Sequence, residues 1–390
     1  MTTRIYFDNA ATSFPKPEAV YEAVDNYGRN IGASAGRGAY SEAMESAEII
    51  QRCRQLLAEL LNADDPLSMI MTFNCTDGLS LAIKGIITDP DSHVITTCMD
   101  HNSVLRPLNA LQERLGIDVT FVKADSEGMV DPLDIEKAIK SNTKLIAVVH
   151  GSNVCGSLQD VNAIGRIAKK HNIAYLVDAA QTVGHVPIDV KAMNVDMLAF
   201  PGHKALLGPL GTGALYIRPG FEGRLSTLKE GGTGSKSELA TQPEFMPDRF
   251  ESGSHNAIGI AGLCKGLEYV LERGIDNIAS HDRLLCERFL EITDGVENLT
   301  VYGPRNLDCR LGVFSIRIAG FEPQELAAIL EKEYGILTRP GLHCAPLAHK
   351  TIGTLDVNGT TRLSTGPFIS INDIEYAGRT VVAIASLKSL

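Results

Sequence analysis

Short, nearly uninterrupted apolar runs recur through the first two thirds of the chain, with stretches of helical pattern between them. The segments 67–73, 93–97, 145–149, 174–177, 197–200 and 214–217 read as strands, and 77–87 and 161–170 as helices. A strand that is apolar at every position must be covered on both faces, and strands that alternate with helices are joined by crossovers. The pattern therefore predicts an α/β fold with a mainly parallel sheet under helices on both sides. In such sheets ligands bind beyond the carboxyl ends of the strands.

The pattern changes near residue 260. A long helical stretch at 258–273 precedes a strand at 312–318, a helix at 323–334 and short strands at 336–338 and 361–364. A helix at 371–387 closes the chain. This predicts a smaller α+β domain of residues 261–390, to which the N-terminal residues 1–13 cross back, packed on a large domain of residues 14–260.

With 390 residues the chain is long enough for both. Its formal net charge of −11 and the lack of any basic run argue against nucleic acid as a partner. No apolar stretch approaches the ~18 residues of a membrane span. The opening Met1-Thr2-Thr3-Arg4-Ile5-Tyr6-Phe7-Asp8 has no apolar core for a signal peptide. The expectation is a soluble, cytoplasmic protein. The eight cysteines form no C-x-x-C pair and no zinc-like spacing, so no metal site is expected.

Chemistry gathers where the strands end. Lys204, in Phe200-Pro201-Gly202-His203-Lys204, follows one apolar run and precedes the glycine-rich segment 208–213. Asp178 ends an earlier run. A Schiff-base lysine with a carboxylate for a pyridinium nitrogen is the minimum that pyridoxal phosphate asks of a protein. Asn74-Cys75-Thr76-Asp77-Gly78 lies between a strand and a helix, where backbone N–H groups and the Thr76 hydroxyl could hold a phosphate, or where Asn74, Thr76 or Asp77 could simply cap the helix. His101 follows the second strand and could stack on a planar ring or serve as a structural histidine. Asn153 follows the third and could bond a substrate carboxylate or sit in a turn. Lys204, Asp178, His101 and Asn153, each after a separate strand, fall too regularly on the ligand-binding edge for independent structural roles. No G-x-G-x-x-G or Walker pattern supports a dinucleotide or triphosphate.

Cys344 lies in Arg339-Pro340-Gly341-Leu342-His343-Cys344-Ala345-Pro346, a loop-like segment in which Arg339 and His343 are candidate cations that would favour a thiolate. A buried, inert thiol is the alternative. Arg362 is a candidate carboxylate clamp, or else a surface ion-pair partner.

Together these residues resemble the class V aminotransferase group of fold-type I pyridoxal-phosphate enzymes, and within it the cysteine desulfurases. The match begins at Tyr6-Phe7-Asp8-Asn9-Ala10-Ala11-Thr12-Ser13. It continues through Asp100-His101, the segments 152–156 and 178–181, Gly202-His203-Lys204 and 249–254, and ends at the segment 339–345. The last is similar to the cysteine segment of group II desulfurases.

The resemblance implies a large domain with a seven-stranded sheet, pyridoxal 5'-phosphate as cofactor, and a homodimer. It implies that Lys204 carries the cofactor, Asp178 meets the ring nitrogen, Gln181 the phenolic oxygen, and His101 the ring face. Cys75, Thr76 and His203 would border the phosphate, and Ser254 would reach the phosphate of the neighbouring subunit. Asn153, Arg339 and Arg362 would take the substrate carboxylate. The implied reaction converts L-cysteine to alanine, with a persulfide on Cys344, His101 as a proton relay, and a sulfur-acceptor protein downstream in iron–sulfur cluster assembly, thiolation or selenium handling. Selenocysteine lyase, a class V transaminase that gives Cys344 no role, and a non-catalytic sulfur carrier or scaffold are the alternatives. The chain departs from the group II pattern at Pro201, where a phosphate-binding serine or threonine is usual, at Cys75, at Leu342, and in a short 235–248 segment.

Overall fold

The computed structural model describes residues 4–36 and 38–387. Met1-Thr2-Thr3 of the opening segment and residues 388–390 of the expected small domain lie outside the described residues. The large sheet has seven strands, ordered 69–72, 213–217, 197–201, 174–178, 143–149, 93–97 and 118–122. All but Gly213–Ile217 run in one direction. That strand is antiparallel to both neighbours because only the loop 202–212 separates it from Met197–Pro201, with no crossover helix between.

Neighbouring residues of each central strand enter different cores. Ile146, Val148, Tyr175, Val177, Leu198 and Phe200 face one core, which the helices Ser41–Leu61 and Val161–Lys170 help to close. Leu145, Ala147, Ala174, Leu176, Met197 and Ala199 face the other, which holds residues of Cys75–Ile86 and Asn102–Leu115. Period-two alternation with both faces covered is why these strands read as unbroken apolar runs. The edge strand Asp118–Val122 buries only Val122, so no such run announced it.

The second part is a four-stranded antiparallel sheet in the order 339–341, 360–364, 313–318, 299–301. Helices Ile275–Thr293 and Ile371–Ser386 cover it, and its core holds Phe7, Phe289, Phe314, Leu363 and Val381. Ile5–Tyr6 pairs in parallel with Ile336–Leu337, and Asp8 bridges to Ser364. The N-terminal segment thus lies against the C-terminal sheet. Helix Ala257–Arg273 crosses residue 260 and places Ala257, Ile260, Leu263 and Leu267 in a core of the large sheet. We propose Gly274, where that helix ends, as the division between the two parts.

Candidate active site

The carboxyl ends of the parallel strands open into a cleft of about 620 Å³, mouth included. Of the residues expected from the sequence, Cys75, Thr76, His101, Asn153, Asp178, Gln181, His203 and Lys204 line it. Asp178 ends the strand Ala174–Asp178, whose neighbour Met197–Pro201 leads into Lys204, so the two residues emerge side by side from paired strands. The turn from Met197–Pro201 into Lys204 is tight. A Cβ on Gly202 would stand 2.3 Å from the Thr212 hydroxyl, which only glycine avoids.

Burial dominates the electrostatics here. Asp178 is 2% exposed, and burial raises its pKa, offset by the Ala180 N–H at 3.0 Å and by Lys204. The Cys75 thiol donates to the same carboxylate at 3.5 Å. Burial also lowers the Lys204 pKa, against the pull of Cys75 and Asp178, which favours a neutral amine.

Two readings of the helix Cys75–Ile86 prove compatible. The Asn74 side chain caps it, accepting from Asp77 N at 3.0 Å, and Gly78 N bonds the Asn74 carbonyl. The Cys75 and Thr76 amides keep no protein partner among the described residues, as the first turn of a helix requires. Thr76 is linked through the Ser103 hydroxyl, at 2.8 Å, to His101 Nδ1, at 2.9 Å. Ser103 was not anticipated; its position at the start of the helix after His101 was the available signal. His101 Nδ1 also accepts the Ser103 N–H at 3.1 Å, so the neutral ring carries its proton on Nε2. Burial, then Lys204 and nearby arginines, push the His101 pKa to about 4. His203 is likewise pushed to about 4, and its Nδ1 is buried without a partner among the described residues. Gln181 donates to the Ala10 carbonyl at 3.0 Å.

Asn153 ties the cleft to the second sheet. Its amide donates to the His343 carbonyl at 2.7 Å, and its own carbonyl accepts from Arg362 at 2.9 Å. Arg362 is 1% exposed and forms an ion pair with Asp8 at 2.6 Å, while its Nε has no partner among the described residues. Asp8 belonged to the N-terminal motif but carried no expected role. Arg339 pairs in register with Arg362, so both side chains rise from the same face of that sheet. Neither arginine lines the cleft wall itself.

Cys344 is exposed. Its carbonyl accepts from Asn102 N at 2.9 Å, which docks the loop on the helix that follows His101. His343 and Cys344 both adopt left-handed backbone, with φ of 48° and 58°. Each such non-glycine residue costs about 1–3 kcal/mol, a burden that clusters at functional sites. The expectation of a cationic His343 is corrected. Burial, then Arg362, holds its pKa well below the usual range, so it is neutral. Of the two expected cations only Arg339 remains. Ser254 lines a different pocket, with Phe73, Leu228 and Lys229, and does not reach this cleft within one chain.

The sequence profile of the family Aminotransferase class-V matches residues 5–377. A "Probable cysteine desulfurase" of Methanothermobacter thermautotrophicus is 36% identical over 98% of this chain and 95% of its own length. Another from Pyrococcus abyssi is 37% identical over 99% of this chain and 95% of its own. The apo structure of a cysteine desulfurase from Thermococcus onnurineus NA1 superposes with a TM-score of 0.90 at 34% identity, covering 99% of this chain and 95% of that one.

Proposed function

The chain belongs to the class-V aminotransferases, with the fold of type I pyridoxal-phosphate enzymes, and stands among their cysteine desulfurases; from that premise we propose that it converts L-cysteine to L-alanine and captures the sulfur as a persulfide on Cys344. The observation that carries this reading is the exposed Cys344 in its left-handed turn, docked beside His101 at the cleft that holds Lys204 and Asp178.

The donor set fits pyridoxal phosphate. Free amides at Cys75 and Thr76, the Thr76 hydroxyl and the unpartnered His203 Nδ1 suit its phosphate. Asp178 suits the ring nitrogen, the His101 ring its face, Gln181 its phenolic oxygen and Lys204 its carbonyl carbon. When bound, the cofactor supplies a sink for the electron pair that Cα keeps as its proton leaves.

The chain's own residues do the rest. Lys204, with its lowered pKa, takes the Cα proton at Nζ. Arg362, through its unpartnered Nε–H, and Asn153 orient the substrate carboxylate, and Arg339 adds positive charge. The Cys344 thiolate attacks the substrate sulfur. An S–S bond forms as the Cβ–S bond breaks, and the pair from that bond goes to carbon, which takes a proton to become the methyl of alanine. His101 holds a transferable proton on Nε2. The sum is cysteine plus enzyme thiol giving alanine plus enzyme persulfide, with no other reactant.

A homodimer is part of the proposal. Phe73 and Leu228 are exposed in the lining of the pocket that holds Ser254, and a second chain there would bury them and bring Ser254 to the partner's phosphate. A sulfur-acceptor protein, serving iron–sulfur assembly or another sulfur user, would take the sulfur from Cys344. Eight free thiols agree with a reducing, cytoplasmic setting, and no helix among the described residues is long and apolar enough to cross a membrane.

The test compares L-cysteine, L-selenocysteine and L-alanine on the loaded enzyme and on Cys344→Ala. The variant should keep the cofactor's absorbance but release neither alanine nor sulfide from L-cysteine. Undiminished release would sink the desulfurase mechanism, and turnover restricted to selenocysteine would make it a selenocysteine lyase.

A further inference from the structure

Behind the Cys344 turn runs a buried chain of side-chain hydrogen bonds. His343 Nε2 lies 2.9 Å from the Arg339 carbonyl, which can only accept, so that nitrogen carries the proton. His343 Nδ1 is then an acceptor, and its partner at 3.2 Å, His349 Nε2, must be the donor. His349 Nδ1 accepts in turn from the Thr354 hydroxyl at 2.7 Å. The chain therefore has a single direction, Thr354 to His349 to His343 to the Arg339 carbonyl. Both rings are neutral: burial pushes His349 to about 4 and holds His343 well below its usual range. His349 and Thr354 are fully buried and the chain ends on a carbonyl that can only accept, so it delivers no proton to the cleft.

What it does hold is backbone. His343 and Cys344 are consecutive left-handed residues without glycine's freedom. Their peptides are anchored by Asn153 on the His343 carbonyl, by Asn102 on the Cys344 carbonyl, and by Ala345 N on the Leu342 carbonyl. The His343 side chain is the remaining grip on the turn, held at Nε2 by the Arg339 carbonyl and at Nδ1 by His349.

We propose that His349 is a positioning residue for sulfur transfer: through His343 it holds the Cys344 turn in the conformation from which the thiol meets the substrate sulfur. The proposal rests on Cys344 as the nucleophile. His349 touches neither the cleft nor the reacting atoms.

The test separates positioning from bulk. His349→Leu fills the space without a donor, whereas His349→Gln places an amide N–H near the Nε2 position. His349→Leu should lower kcat for persulfide formation roughly 10- to 100-fold, as displaced reacting groups do. KM for L-cysteine and the bound-cofactor spectrum should stay as in the parent, and His349→Gln should recover most of the rate. Thr354→Val, a milder cut at the far end of the chain, should show the same split on a smaller scale. In the parent protein, ¹⁵N NMR should find both rings protonated on Nε2, with a coupling across the His349 N–H···N His343 bond. That measurement survives even where His349→Leu fails to fold. A parental kcat in His349→Leu, equal losses in the Leu and Gln variants, or rings protonated on Nδ1 would each overturn the proposal. Full turnover by Cys344→Ala would instead overturn the nucleophile assignment, whatever the His349 variants do.

Discussion

Arg362→Lys tests the carboxylate clamp at the point where the geometry is most demanding. The guanidinium lies 1% exposed, spends one terminal nitrogen on Asp8 and the other on the Asn153 carbonyl, and leaves Nε unpartnered. A buried donor without an acceptor is costly, and a substrate carboxylate would satisfy it. Lysine keeps the charge and can still reach Asp8, but it has no Nε–H and no planar fork with which to hold three groups. Loss of one hydrogen bond to a charged group is worth about 1.5–3 kcal/mol. At ~1.4 kcal/mol per tenfold, that weakens substrate binding roughly 10- to 150-fold. Arg339, rising from the same face of the sheet, retains part of the attraction and favours the lower end. The assay is steady-state alanine release from L-cysteine, with L-alanine binding followed by cofactor absorbance. KM and the alanine dissociation constant should rise together while kcat changes far less. A normal KM with a depressed kcat would refute the clamp and leave Arg362 as the structural partner of Asp8.

Lys204→Ala should bind cofactor without covalent attachment, so borohydride followed by mass spectrometry should find no label on the chain; a labelled chain would mean another lysine does the work. Stability should depend on acid in a defined window. His101, His150, His203 and His349 are each pushed down to about 4 from the ordinary 6.5. The unfolded chain therefore binds protons first, and their contribution is fully present above pH 6.5 and lost as pH falls towards 4. A Tm that stays flat across that interval would contradict the burial of these rings. Arg54→Met removes one half of the buried Arg54–Glu251 pair, both 4% exposed, and among the described residues leaves Glu251 with only His255 and Met71 N. Denaturation in urea should show a loss of about 3–5 kcal/mol, and an unchanged midpoint would mean that those two partners suffice.

Sequence and structure agree best where the signal is local. The strands at 93–97 and 197–201 and the helices at 161–170 and 323–334 could be placed within a residue, because burial on both faces or on one stripe imprints a short-range period. Lys204 and Asp178 were legible for the same reason: each ends a run, and run ends in a parallel sheet face the ligand. The strand Asp118–Val122 was not, since an edge strand buries little. Nor was the charge state of His343, which depends on packing that the neighbouring residues in the chain do not disclose.

The sequence by itself determined the α/β architecture, the strand ends that carry the chemistry, and the residue types that fit pyridoxal phosphate and a nucleophilic thiol. Only the tertiary structure decided how those groups are held. Asp8 meets Arg362 across 354 residues of chain, and Asn153 meets the His343 carbonyl across 190. His349 grips the Cys344 turn by way of a ring whose tautomer is set by one backbone carbonyl. Such contacts leave no period along the chain. They exist because two sheets close over one cleft, where a backbone carbonyl sets which His343 nitrogen keeps its proton and burial pulls the Lys204 pKa down.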